Sequence, residues 1–280
     1  MGEYKDVRRI ARTISFAENG FSNPEPEQKV EESAGAKLKG KDSRVVAIPT
    51  WKVDSRPVQA QPENFKLTDG NGRSSKIILS PVIGITGTGG AGKSSVTDEI
   101  VRRFLQGTTD KTIAVISVDP SKKKSGGALL GDRIRMNSIH SPRAYMRSLA
   151  TREADTALSA YVRDALDICR AAAFDLIILE SAGTGQSDAS ILDYCDLSMY
   201  VMTPEYGAAS QLEKINMLDY ADLVVINKSD KPGAADALIE VRKQYKRNHG
   251  SWNAKDKELP VCSTTASLFN DAGTQLLFNQ

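Results

Sequence analysis

Side chains that bind soft metals or form disulfides are scarce in this sequence, which has three cysteines and two histidines in 280 residues. Cys169, Cys195 and Cys262 lie far apart with no paired spacing, and His140 and His249 stand alone. That argues against a disulfide framework or a Cys/His metal site, and the cysteines read as small apolar side chains in a reducing compartment. Long hydrophobic runs are missing as well. No stretch approaches the ~20 apolar residues of a membrane helix, and the first residues lack the apolar core of a signal peptide. The expectation is therefore a soluble, cytoplasmic chain with no membrane contact. Nor is one sign of charge in excess: 37 Lys and Arg against 35 Asp and Glu leave a formal charge of +2. This balance implies neither a nucleic-acid surface nor an acidic tail.

What the sequence does have is glycine concentrated in one place. "GITGTGGAGKSS", residues 84–95, follows an apolar run at 77–83 and precedes Val96, Ile100, Val101 and Phe104 at helical spacing. From Gly87 it reads Gly, four residues, Gly, Lys, Ser, the pattern of a phosphate-binding loop between a strand and a helix. Glycines permit left-handed torsions that turn successive N–H groups inward, so the loop becomes an anion nest at a helix N-terminus. Gly89, Gly90, Ala91, Gly92, Lys93, Ser94 and Ser95 are the expected nucleotide contacts. Lys93 would reach the outer phosphates and the Ser94 hydroxyl would ligate Mg²⁺. Thr88 stands where partition-type ATPases carry a lysine, which directs attention to a base-reading motif further on.

The length suits one core domain with an appendage. Val7, Ile10, Ala11, Ile14 and Ala17 recur at helical spacing, and residues 21–73 are rich in Pro, Glu, Lys, Gly and Ser. We expect an N-terminal helix and linker arm over 1–75 and a P-loop GTPase domain over 76–280. Beyond the arm, apolar runs alternate with helical patterns. Strands are predicted at 77–86, 112–119, 175–180, 197–202, 223–227 and near 260–263, with helices at 94–105, 154–173, 210–218 and 234–248. The fold class is α/β, a P-loop NTPase with a mostly parallel sheet flanked by helices, and function belongs at the carboxyl edge of the strands.

Two predicted strands end in acids, Asp119 and Glu180. Both suit Mg²⁺, although Asp119 before Pro120 also reads as a helix cap. After Glu180 come Gly183, Gly185 and Gln186, a segment able to close on a γ-phosphate; Gln186 reads equally as the residue that orients water or as surface polarity. "SKKKSGGALLGDRIRM", 121–136, offers Asp132 as a third acid and Arg133 or Arg135 as a phosphate-neutralising arginine, or is a solvated basic loop; spacing does not choose. A later strand closes with Asn227, Lys228, Ser229 and Asp230. This Asn-Lys-x-Asp tetrad reads guanine, because an aspartate accepts from N1–H and the exocyclic amine, a donor pair that adenine lacks. GTP is the expected nucleotide.

Taken together, "GTGGAGKSS", "SVDPS", "GGALLGDRIRM", "YMRSLATRE", "ILESAGTGQSD" and "NKSD" resemble the G-protein chaperones of cobalamin-dependent acyl-CoA mutases. "YVMTPEYGAASQLEKINMLDYAD" and "QYKRNHGSW" strengthen a likeness to the G domain of fused isobutyryl-CoA mutases, from about Pro81 to the C-terminus. The resemblance implies a GTPase that gates adenosylcobalamin loading and protects a mutase of the isobutyryl-CoA or methylmalonyl-CoA type, as a separate subunit or a fused domain. Adenosylcobalamin would be met only through that partner, and a homodimer is a further expectation. By the same resemblance Asp132 joins Ser94, Asp119 and Glu180 around Mg²⁺, Arg135 contacts nucleotide, and 145–153 is a third mobile switch facing the mutase. Lys93, Glu180 and Gln186 are the catalytic candidates, with the role of Gln186 left open. Ser181 departs from the family's more usual threonine. No Asp-x-His-x-x-Gly cobalamin motif is present, so acyl-CoA chemistry is not expected in these residues, and the chain looks like a split-off G protein or a piece of a fusion. The competing readings are a nickel or zinc metallochaperone GTPase and a nucleotide-dependent docking module with negligible turnover.

Overall fold

The apolar runs of the sequence become the strands of one sheet. The computed structural model describes residues 10, 11, 13–15, 66–68, 74–76, 80–120, 135–151, 161–183 and 189–280. By internal contacts the chain forms two units, Met1–Ser22 with Leu79–Gln280, and Asn23–Ile78. In the smaller unit two short strands, β1 (Lys66–Thr68) and β2 (Ser74–Lys76), pair antiparallel with Thr68 opposite Ser74.

In the larger unit the strands are β3 (Val82–Gly87), β4 (Ile113–Pro120), β5 (Ala144–Thr151), β6 (Leu176–Glu180), β7 (Leu197–Met202), β8 (Leu223–Ile226) and β9 (Val261–Ser263). They form a seven-stranded sheet in the order β5-β4-β6-β3-β7-β8-β9, parallel at every pairing. The helices are α1 (Lys93–Gly107), α2 (Val162–Ala171), α3 (Ala209–Leu212), α4 (Ala234–Asn248) and α5 (Ala272–Phe278). A sheet covered on both faces needs strands apolar on both sides, and alternate residues of each strand feed different cores. Ala114, Ile116, Val118, Ile177 and Leu179 enter one cluster; Ile113, Val115 and Ile178 enter the other with Val96, Ile100 and Val101 of α1. Each of the Val, Ile and Leu side chains contributes about 1.5–3 kcal/mol by leaving water.

β3 lies between β6 and β7, and the chain leaves it through α1 toward β4 on one side while β7 joins it on the other. That is a topological switch point, where a crevice opens beyond the strand ends.

Several elements differ from the sequence reading. Residues 144–151, which overlap the stretch 145–153 expected to be a mobile switch, are strand β5, in register with β4 from Ile113–Ala144 to Pro120–Thr151. The cause is apolar packing: Tyr145, Met146 and Leu149 are buried. Arg147 Nη2 donates to Ser15 Oγ at 2.9 Å, and Ile10 and Ile14 of the N-terminal helical residues join the core cluster that holds Tyr145 and Leu149. The helix expected over 210–218 is instead the single turn α3 and a 3₁₀ turn at Asn216–Asp219, divided at Ile215, which is extended and buried. Of the helix expected over 154–173, α2 is the described part. α5 was not expected at all.

Candidate functional site

The phosphate loop runs from the end of β3 into the first turn of α1. Gly87 has φ 147° and a Cβ there would lie 1.9 Å from Val201 O, while Gly92 has φ 87° and a Cβ would lie 2.5 Å from Asn227 Nδ2. Both positions therefore require glycine, one because strand β7 runs against it and the other because the side chain of Asn227 does. Lys93, 8% exposed, curls over the loop and donates from Nζ to Gly87 O at 3.3 Å and Thr88 O at 3.4 Å.

The acids meet the loop from neighbouring strands. Glu180 ends β6 beside Ser117 of β4, which places Asp119 two residues further along the same edge. Both carboxylates are buried, at 2% and 3% exposure. Glu180 accepts from Ser94 Oγ at 2.7 Å and from Thr97 Oγ1 at 3.0 Å. One hydroxyl comes from the first turn of α1 and the other from one turn on, so the helix is clamped to β6 along a single face. Ser181, next in chain, donates to Thr86 Oγ1 at 2.8 Å in the buried interior.

Strand β8, which leads into the Asn-Lys-x-Asp tetrad, is fastened to the same loop. Asn227 donates from Nδ2 to Ala91 O at 2.9 Å and accepts at Oδ1 from Thr264 Oγ1 at 3.2 Å and Ala266 N at 3.1 Å. A single side chain thus joins the phosphate loop to the loop after β9. Lys228 holds a left-handed φ of 59° and donates from Nζ to Gly90 O at 2.8 Å. Backbone of this kind in a non-glycine residue is uncommon and gathers at functional sites.

These elements enclose a cleft of about 790 Å³, into which Lys93, Ser94, Asp119, Glu180 and Lys228 open. Gly89, Gly90, Gly92, Ser95 and Arg135 also line it. Ala91 is buried beneath the loop, and Asp230 is exposed and is not among the lining residues. Asp132 and Gln186 lie outside the described residues. Sequence reasoning missed Thr97, whose signal is its position three residues after Ser94 on one helical face. It also missed Asp98, which accepts from Asn137 N at 3.1 Å and Ser138 N at 2.8 Å and so ties the segment that carries Arg135 to α1. No local pattern marks that contact, because the two ends are forty residues apart.

Among the described residues no helix is long and apolar enough to cross a membrane. The fold recurs in a LAO/AO transport system kinase (TM-score 0.50, 24% identity, 72% of this chain and 57% of that one). It recurs also in the hydrogenase maturation factor HypB of Archaeoglobus fulgidus (TM-score 0.52, 15% identity, 71% and 87%). In sequence the chain is 62% identical over 198 residues to the fused isobutyryl-CoA mutase of Geobacillus kaustophilus, and 55% identical over 204 residues to that of Cupriavidus metallidurans. These matches take in 71% and 72% of this chain but 18% and 19% of the relatives, so the chain spans about a fifth of their length. The mitochondrial methylmalonic aciduria type A homolog of Caenorhabditis briggsae is 34% identical over 137 residues, 49% of this chain and 32% of that protein. The family model described as methylmalonyl Co-A mutase-associated GTPase MeaB matches residues 61–277. With a phosphate loop, an Asn-Lys-x-Asp tetrad after β8 and that match over most of its length, the chain belongs to the MeaB family of P-loop GTPases.

Proposed function

We propose that this chain is a Mg²⁺-dependent GTPase that gates adenosylcobalamin loading and protection of an acyl-CoA mutase, present as a separate subunit or as another part of a fusion. The observation that carries the nucleotide half is Asn227, which holds the phosphate loop and the base loop in one hydrogen-bonded unit. Lys93 meets the outer phosphates, and the loop N–H groups at the start of α1 meet the inner ones. Lys228 lays its stem along the base while Asp230 accepts from the guanine edge; a bound base is what would draw that exposed carboxylate inward.

The donor set fits Mg²⁺, which takes oxygen ligands and few protein carboxylates. Ser94 uses its hydroxyl hydrogen toward Glu180, leaving both oxygen lone pairs for a cation. Ser94, Asp119 and Glu180 are the ligands and their outer partners, with Asp132 completing the set. Bound there, Mg²⁺ would neutralise charge on the phosphate oxygens as the β–γ bond breaks. Glu180 and Gln186 orient the attacking water, and Arg135, on the cleft wall, neutralises phosphate charge.

The mutase half rests on the family and on the relatives whose names contain the mutase. Two measurements test the proposal. GTP and ATP compete against a fluorescent guanine nucleotide with and without Mg²⁺, and GTP is expected to win by orders of magnitude only through the intact tetrad. Hydrolysis is then followed with and without an isobutyryl-CoA or methylmalonyl-CoA mutase. Equal competition by ATP overturns the guanine reading; hydrolysis and cofactor transfer indifferent to either mutase overturn the chaperone reading.

A further inference from the structure

The open end of the cleft carries an aromatic side chain that the phosphate and metal chemistry does not use. Phe269 lines the cleft together with Lys228 and Ala266, and it is 76% exposed. Single exposed apolar residues are ordinary, and Trp252 and Tyr220 are others here. Phe269 differs in being both at the cleft and held in place. Arg102 of α1 lies over its ring, with Cζ 4.7 Å from the centroid. Arg102 is itself fixed, because Nε and Nη2 donate to Oε1 and Oε2 of Glu99 at 3.0 and 2.8 Å. The same guanidinium donates to Asn270 Oδ1 at 3.2 Å, in the residue that follows the ring.

The loop is anchored a second time by Arg103, which is buried. It donates to Asp271 O and to Gln275 Oε1, both at 3.2 Å, and is ion-paired to Glu99. Burial alone would raise the Glu99 carboxyl, but hydrogen bonds from Arg102 and Arg103 outweigh it and hold the group below the ordinary carboxylate range. Glu99 is therefore charged wherever the protein is folded near neutrality, and the clamp stays closed. The helix that begins at the phosphate loop thus fixes a flat apolar surface at the base end of the cleft.

We propose that Phe269 is the base-stacking residue of this site, offering its ring to the guanine of a bound nucleotide, with Glu99 and Arg102 as the residues that position it. The inference rests on the GTPase reading above. A purine has two faces to cover; the Lys228 stem supplies one surface at this end of the cleft and Phe269 the other. Stacking is indifferent to which purine is present, so the ring sets affinity for the base while the tetrad sets the choice of guanine.

The test measures dissociation constants for GDP, ADP and tripolyphosphate, the last having no base, in wild type, Phe269→Ala, Phe269→Tyr and Arg102→Ala. Phe269→Ala is expected to weaken GDP about tenfold and to leave tripolyphosphate within about twofold. Phe269→Tyr restores wild-type binding, and Arg102→Ala gives a smaller loss confined to GDP and ADP. The ring is exposed, so the melting temperature of Phe269→Ala should match wild type. Unchanged GDP affinity in Phe269→Ala, or an equal loss for tripolyphosphate, overturns the inference. Wild type that binds ADP as well as GDP would overturn the guanine reading instead, whereas retained guanine preference with an unaffected Phe269→Ala sinks the stacking role alone.

Discussion

Replacing Asn227 by alanine removes three hydrogen bonds at one point and should loosen the whole site. Its Nδ2 donates to Ala91 O, and its Oδ1 accepts from Thr264 Oγ1 and Ala266 N. Ala91 is fully buried and Ala266 nearly so, at 8% exposure. Truncation therefore strands a carbonyl of the phosphate loop and an N–H of the base loop where water has little access. Each stranded group costs about 1–3 kcal/mol, and the new space lets water relieve part of it, so about 3 kcal/mol is the expected total. In a folded unit of this size each kcal/mol moves the melting temperature by about 2–4 °C, giving a fall of about 6–12 °C. Asn227→Asp keeps both acceptances but sets a carboxylate oxygen against Ala91 O, so its deficit should shrink in acid, where the protonated oxygen can donate again. Thermal unfolding followed by fluorescence, with and without GDP, reads both variants. A melting temperature for Asn227→Ala within about 2 °C of wild type would refute the reasoning, since the bonds would then carry no net stability.

Glu180→Gln retains an acceptor for one of the two hydroxyls that reach it, from Ser94 and Thr97. We expect a folded protein that still binds GDP but hydrolyses GTP about 10²-fold more slowly, read by phosphate release in single turnover; an undiminished rate would remove Glu180 from the chemistry. Asp271 begins α5: burial raises its carboxyl, but hydrogen bonds from Thr265 N, Thr274 and Gly273 N hold it below the ordinary range. A depressed pKa contributes stability that is present above the unfolded value and lost as pH falls through the folded one. The melting temperature of Asp271→Asn should therefore trail wild type near neutral pH, and the gap should close as the pH falls below the ordinary carboxylate range; a gap that stays constant on acidification would show that the charge is not what stabilises the cap.

The parts legible in the sequence are those whose physics is local. The glycines of 87–92 encode backbone torsions directly, and the structure shows Gly87, Gly90 and Gly92 at positive φ. Strands β4, β6, β7 and β8 announce themselves because a parallel sheet buried on both faces needs unbroken apolar runs. β5 was hidden because Arg147 and Ser148 interrupt its run, and the arginine finds a partner far away in the sequence, at Ser15. β1 and β2 flank Asp69-Gly70-Asn71-Gly72, a turn signal that the polar composition around it masked. Ile10 and Ile14 showed their periodicity but not their destination, since amphipathicity marks a face and not the surface that covers it.

What no local pattern encodes is the position of α1 as the common support of the site. Ser94 and Thr97 fasten it to Glu180, Asp98 fastens it to Asn137 and Ser138, and Glu99 with Arg102 and Arg103 fastens it to the loop after β9. These contacts use residues 94, 97, 98, 99, 102 and 103, so successive turns of one helix meet Glu180 beside the phosphate loop, then Asn137 and Ser138, then the loop after β9. A helix is stiff along its axis, and side chains three or four residues apart share a face. Under the proposed roles, a displacement at its N-terminus, where phosphate charge would act most strongly, would therefore be carried to the loop around Phe269 rather than absorbed between them. The charge of a bound nucleotide and the stacking of its base would then bear on the same rigid element.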